Sequence, residues 1–257
     1  HQPRRQRQMC IRDSVNIVGK TVVVDTNTAA ITVQNGVDLE AVIKANGSGS
    51  LTYNKLSDDA DNLSAARTAS GQLADITGKT VEITGATDLD KLATIITNTG
   101  NANLVTHTAV TDSYTDLVDP NKTGANNVHI VNKTVIVNTA ATLDQIAALK
   151  NVVTANGGNG ASFTHTHVTD DYADLVDANK AGVDNVNIVG KTVVVDPATA
   201  AITVQNGVDL EATITANGSG SLTYNKLSDN AAALSHTRTG SGQLADISGK
   251  TVNVTGV

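Results

Sequence analysis

The sequence predicts an α/β repeat solenoid, with strand–helix coils stacked on a parallel sheet. Three observations predict it. Residues 15–85 match residues 186–256 at a fixed offset of 171, with 58 of 71 positions identical. Short β-branched runs alternate with amphipathic segments, and strands that alternate with helices pair in parallel through crossovers. Aromatic residues make up 2% of the chain, with no Trp and one Phe, which suits thin stacked layers better than one large core.

The long repeat contains a shorter one. A tripeptide recurs as Gly19-Lys20-Thr21, Gly78-Lys79-Thr80, Asn132-Lys133-Thr134, Gly190-Lys191-Thr192 and Gly249-Lys250-Thr251. A second marker carries Asp58, Asp112, Asp170 and Asp229, and each stands at one constant interval before the next marker lysine, Lys79, Lys133, Lys191 or Lys250. The interval from lysine to aspartate varies. It is shortest between Lys79 and Asp112, and longest between Lys20 and Asp58 and between Lys191 and Asp229. One half of each repeat thus tolerates no insertion, and the other holds an adjustable connection. Residues 15–257 read as four repeats of roughly 54–59 residues each, expected to be cut at both ends of the array.

Each repeat reads as strand, helix, strand, helical turn. The first strand is β-branched, as in "TVVV" after Lys20 and "TVIV" after Lys133. An amphipathic helix follows. Leu89, Leu92, Ala93 and Ile96 are predicted to share one face, and Leu143, Ile146 and Ala147 another. Thr87-x-x-Asp90 and Thr142-x-x-Gln145 read as capping boxes, which satisfy the free amides of the first turn. Gly/Asn-rich turns such as "ANGSGS" lead into the second strand, "LTYNKL" or "FTHTHV". The marker aspartates Asp58, Asp112, Asp170 and Asp229 then stand where an N-cap belongs. Further along the same turn Leu63, Leu117, Leu175 and Leu234 are expected to face inward. One strand plus one helix makes a coil of roughly 27–30 residues, a size typical of α/β solenoids.

Residues 1–14 are set apart. "RRQRQMCIRDS" at Arg4–Ser14 reads as the translation of a transposon-end sequencing adapter, and is expected to be a disordered scar. It holds the only Met and the only Cys. It carries four Arg and one Asp, so the rest of the chain has a net charge of −7 − 3 = −10. That acidic balance disfavours nucleic acid, and a cysteine-free array has no disulfide or thiolate chemistry. No apolar run approaches the roughly 18–20 residues of a membrane span.

The tripeptide raises the question of a phosphate loop, which needs Gly-x-x-x-x-Gly-Lys-[Ser/Thr] and a following helix. Ser14, Leu73, Asn185 and Leu244 stand where the first glycine is required, and "TVVV" is strand. Asn132 replaces glycine in one copy, and Asn and Gly share a tolerance of positive φ. The tripeptide therefore reads as a tight turn feeding a strand, with Lys20, Lys79, Lys133 and Lys191 in turns.

His165 and His167 are the metal candidates, since residues i and i+2 of a strand share a face. A site would need a further ligand such as His107. Tyr53 and Tyr224 occupy the equivalent of His165 in the outer repeats, which favours a half-exposed lining position over a site. Gly157–Ser162 has the glycines of a calcium-binding nonapeptide but not its Asp. Threonine beside His107 and His165 reads as β-propensity. Nearly every acid has a counterpart in another repeat, whereas a catalytic centre is singular. No catalytic, cofactor-binding or metal residue is assigned, and no cofactor is expected.

"LSDDADNL", "NGSGSLTYNKLSD" and helices of the "TATLDQIAAL" kind resemble the degenerate repeats of very long exported bacterial surface proteins, adhesin-like or RTX-like. The resemblance covers residues 15–257. It implies a non-catalytic structural or adhesive segment outside the cell or on its surface. The implied partners are flanking repeats of the same chain and a cell-surface or extracellular ligand. The alternative is a repeat module that binds calcium, a glycan or another surface ligand.

Overall fold

The computed structural model describes residues 16–25, 30–65, 75–155, 163–236 and 247–256. The expected scar at residues 1–14 lies outside them. The chain forms two compact units, residues 1–108 and 109–257.

The first unit contains β1 (Thr21–Val23), α1 (Val33–Ile43), β2 (Ser50–Thr52), β3 (Lys55–Asp58), α2 (Ala60–Ser64), β4 (Thr80–Ile83), β5 (Ala86–Thr87), α3 (Leu89–Thr99) and β6 (Val105–Thr106). The second contains β7 (Ala109–Asp112), α4 (Tyr114–Leu117), α5 (Pro120–Thr123), β8 (Thr134–Ala141), α6 (Leu143–Val153), β9 (Phe163–Asp170), α7 (Tyr172–Val176), α8 (Ala178–Ala181), β10 (Thr192–Val195), α9 (Val204–Ile214), β11 (Ser221–Thr223), β12 (Lys226–Asp229), α10 (Ala231–Ser235) and β13 (Thr251–Val254).

The fold is mixed α/β with parallel sheets, as expected. In the second unit β11, β10, β9, β8 and β7 lie side by side in that order. Their registers alternate between two steps along the chain. The shorter step spans the turn with its short helices, as in Ala109↔Thr134 and Thr192↔His167. The longer step spans a long helix, as in Val135↔Phe163 and Thr192↔Ser221. The first unit uses the same two steps, with Lys55↔Thr80 and Thr21↔Ser50. Neighbouring strands therefore alternate between the two strand kinds of the repeat. Each long helix crosses over the sheet between the two strands it joins, as parallel pairing demands.

The buried helix faces differ from those the sequence suggests. In α3 they are Leu89, Leu92, Ile95 and Thr99, while Ala93 is exposed and Ile96 half-buried. In α6 they are Leu143, Ile146, Leu149 and Val153, and Ala147 is exposed. The stripe runs mainly in steps of three, so it drifts around the helix as the helix crosses a twisted sheet. Leu63, Leu117, Leu175 and Leu234 are all buried, as expected. Each contributes on the order of 1.5–3 kcal/mol of apolar burial.

Candidate functional site

The two recurrent markers grip opposite ends of the same helices. The aspartates are not the N-caps of the short helices. That role falls one residue later, to Asp59, Ser113, Asp171 and Asn230, whose side chains accept from the third residue on. Asp58 Oδ2 instead accepts from Val33 N at 2.9 Å, Asp170 Oδ2 from Leu143 N at 2.8 Å and Asp229 Oδ2 from Val204 N at 3.1 Å. Each of these donors is the first residue of the preceding long helix. The other carboxylate oxygen accepts from the next backbone amide, as Asp170 Oδ1 does from Asp171 N at 3.0 Å. A carboxylate at a helix N-terminus meets free amides and the positive end of the dipole. Burial pushes the Asp170 carboxyl up, and the amides of Leu143 and Asp171 pull against it.

The long helices carry their own caps as well. Thr142 and Gln145 form the expected capping box. At α3 the cap is Asp88, which accepts from Lys91 N, and not Thr87. Thr87 is buried in β5, with its hydroxyl donated to the Asp88 carbonyl. A strand residue on the sheet's inner face cannot also turn out to cap the helix.

The tripeptide closes the other end. Gly19, Gly78, Asn132, Gly190 and Gly249 all have positive φ, between 60° and 73°. Gly19 N donates to Ile43 O, Gly78 N to Thr99 O, Asn132 N to Val153 O and Gly190 N to Ile214 O, at 2.7–3.0 Å. Each acceptor is the last residue of a long helix. The tripeptide is a turn that seals a helix C-terminus, and "TVVV" after it is strand, as expected.

The position shared by Tyr53, His107, His165 and Tyr224 is buried at every repeat, not half-exposed. Tyr53 Oη donates to Asp75 O at 2.8 Å, and His165 Nε2 contacts Asn187 O at 2.7 Å. Each partner carbonyl lies in the connection to the next strand, at the same separation along the chain. A carbonyl only accepts, so His165 carries its proton on Nε2. Burial pushes His165 down, the bond to Asn187 opposes this, and the Lys191 and Lys150 charges add to the lowering. In the tyrosine repeats the marker lysine lies over the ring, with Lys79 Nζ 5.3 Å from the Tyr53 centroid and Lys250 Nζ 4.9 Å from that of Tyr224.

The histidine pair does not make a metal site. The buried positions of β9 switch parity between His165 and Val168, where the register against β8 also slips. His165 faces inward, whereas His167 is half-buried with Nδ1 2.7 Å from Thr166 Oγ1. Among the described residues the metal-capable set of three is Asp170, Asp171 and Asp174. Asp171 caps α7, and Asp174 Oδ2 is 2.7 Å from Lys180 Nζ. The Gly157–Ser162 candidate lies outside the described residues. Neither the Asp bond to the start of the preceding long helix nor the Tyr/His bond to the next connection has a local signature. Only the constancy of the spacing hints at them.

Comparison with models of known protein families, with curated proteins and with solved structures finds no match.

Proposed function

We propose that this chain is a non-catalytic structural or adhesive segment of a long repeat array, built as a solenoid of strand–helix coils and carried by a large secreted or cell-surface bacterial protein. One observation carries the reading. The recurrent polar groups are engaged at fixed registers within the fold, the aspartate carboxylates on the starts of long helices and the Gly or Asn backbone amides on their ends. A residue used for spacing and stacking recurs with every repeat, whereas a catalytic group occurs once. The net charge near −10 of residues 15–257 favours solubility, which suits an exposed array.

Excision of one repeat tests this. Removing Thr134–Lys191 joins Lys133 to Thr192 and offers β7 the same partner sequence pattern at the same short-step register. The shortened chain is expected to fold cooperatively, with native-like circular dichroism and a lower melting temperature. Collapse to an unfolded chain would defeat the repeat-array reading. The rival, a ligand-binding module, is favoured by the Asp170, Asp171 and Asp174 cluster. Calcium at a hundred times its dissociation constant would then add about 2.7 kcal/mol, visible as a raised melting temperature. A spacer is expected to show no such shift, and no selective hit on a glycan array.

A further inference from the structure

Two stretches of this chain have nearly the same sequence and different exposure. Residues 16–58 and 187–229 differ at four positions, Thr26/Pro197, Asn27/Ala198, Val42/Thr213 and Lys44/Thr215. In the second copy β10 is paired on both edges, with β11 and with β9. In the first copy β1 is paired with β2 alone among the described residues. In parallel pairing a residue turns its N–H and C=O to the same neighbour. Val24 turns its amide to Thr52 O in β2, so by alternation Thr21 and Val23 face the open edge. The matching edge in the second copy faces β9, where Asp196 N donates to Asp170 O at 2.9 Å.

The adjoining helix shows the same contrast independently. An open groove of about 380 Å³ runs along α1, lined by Ile31, Asn35, Asp38, Leu39 and Val42. At the matching positions, Ile202 just before α9 and Leu210 on it are 3% and 2% exposed. Burial pushes the Tyr172 phenol up, and the Asp209 carboxylate, counterpart of Asp38, is near enough to add to that.

We propose that the open end of the first unit, formed by the β1 edge and the α1 groove, docks a strand-and-turn segment of the same repeat type as Phe163–Val176, supplied by a neighbouring repeat. The proposal rests on the repeat-array reading and specifies one of its contacts. The second copy shows the fit. A strand ending in Val-Thr-Asp adds in parallel at the register Thr192↔His167 to Val195↔Asp170, and a Tyr just beyond it feels the charge of Asp209 on the helix. Residues 1–14 stand at the positions of Tyr172–Asn185 and match only at Asp13. They supply neither the Tyr nor the Leu of that turn. Within this chain β3, β7, β9 and β12 are the strands of the required kind, and each already holds its following strand. A second copy of the chain could serve only by strand exchange, so the occupant is a separate repeat.

The test replaces residues 1–14 by Phe163–Asn185, so that the added Asn precedes Val15, and reads amide hydrogen exchange in the grafted and original chains. In the original, Thr192 and Val194 are protected, and Thr21 and Val23 exchange faster. Grafting slows Thr21 and Val23 by about tenfold or more. A second graft with its tyrosine changed to alanine (Tyr172→Ala in the donor segment) retains strand protection and leaves Leu39 more exposed to solvent. Unchanged exchange at Thr21 and Val23 in the folded graft overturns the proposal. So does concentration-dependent self-association that protects them in the original chain, which would make a second copy the occupant. Either result leaves the repeat-excision experiment untouched, so failure here is distinct from failure of the array reading.

Discussion

Residues 16–58 and 187–229 place one sequence in two settings, and the difference measures what a further neighbouring strand contributes. Ile17, Val22, Val24, Ile31 and Leu39 are all half-buried, whereas Ile188, Val193, Val195, Ile202 and Leu210 are buried. The local conformation is nevertheless the same. Thr32 and Thr203 cap their helices alike, Asp58 and Asp229 reach back to the first helical amide alike, and Gly19 and Gly190 close the far end with φ of 71° and 73°. Local residues therefore set the shape of each strand–helix segment, and its burial depends on what packs beside it.

The sharpest way to break this comparison is to truncate the same leucine twice. Leu210→Ala empties a filled site and is expected to cost about 2–4 kcal/mol in urea unfolding, while Leu39→Ala, at a half-buried site beside an open groove, costs about 1 kcal/mol. Equal costs would mean that α1 is covered in solution as α9 is. Unfolding followed separately in the two units keeps the comparison clean, since each has its own core.

Next in size are the marker aspartates. Asp170→Ala leaves Leu143 N–H and Asp171 N–H without their acceptor in a buried setting, at an expected cost of about 2–3 kcal/mol. Asp58→Ala removes the same pair of bonds at a half-exposed site where water can replace them, so roughly 1 kcal/mol is expected. If both cost the same, the bond to the helix start matters more than its burial.

These cases also show how much of the fold and of the site is legible in the residues alone. The β-branched runs, the Gly/Asn turn and the inward leucines are local patterns, and the structure places them as expected. Parallel pairing follows from the alternation of strand and helix. The aspartates differ because a cap at the next residue, as with Asp59 and Asp171, has the same sequence signature as a cap at the marker itself. Their true donors, Val33 and Leu143, open the preceding long helix, beyond the reach of any local pattern. The His165–His167 pairing fails for a related reason. The i, i+2 rule assumes an unbroken pleat, and the register slip against β8 breaks it. The groove on α1 has no sequence signal, since a nearly identical helix elsewhere in the chain is covered.

A smaller effect separates the tyrosine and histidine repeats. His165 is held below its ordinary value, so folding favours the neutral ring. Its contribution is therefore full above the unfolded pKa of about 6.5 and is lost as pH falls from there toward the folded value. The melting temperature of the second unit should drop over that window. His165→Tyr, which installs the residue of Tyr53 and Tyr224, should flatten the drop. His129, lowered by burial and by Lys133 in the same direction, leaves a residual slope. An unchanged pH profile in His165→Tyr would remove His165 from this role.

The smallest expected effect concerns the lysine that stands over this position. Lys79 and Lys250 lie over tyrosine rings at 5.3 and 4.9 Å. A substitution to Met keeps most of the apolar stem and removes the charge, so Lys79→Met and Lys250→Met should each cost about 0.5 kcal/mol. The two sites differ in cover. Val81 and Ile83 of β4 are buried, with β6 paired on the far side, whereas Val252 and Val254 of β13 are exposed. Equal costs would show that the contact is local to its strand and turn, and a cost at Lys79 alone would show that it needs a paired neighbouring strand to hold it. Lys191 supplies the reversed case. Burial lowers its own pKa, and its charge opposes protonation of His165. Lys191→Met therefore relieves a buried charge and lets His165 take up a proton more easily. It should be neutral or stabilising at pH 7 and should reduce the acid-induced fall in melting temperature. The same substitution at three equivalent positions would then change sign with the ring beneath it, and a uniform cost at all three would leave the lysine a turn residue with no specific partner.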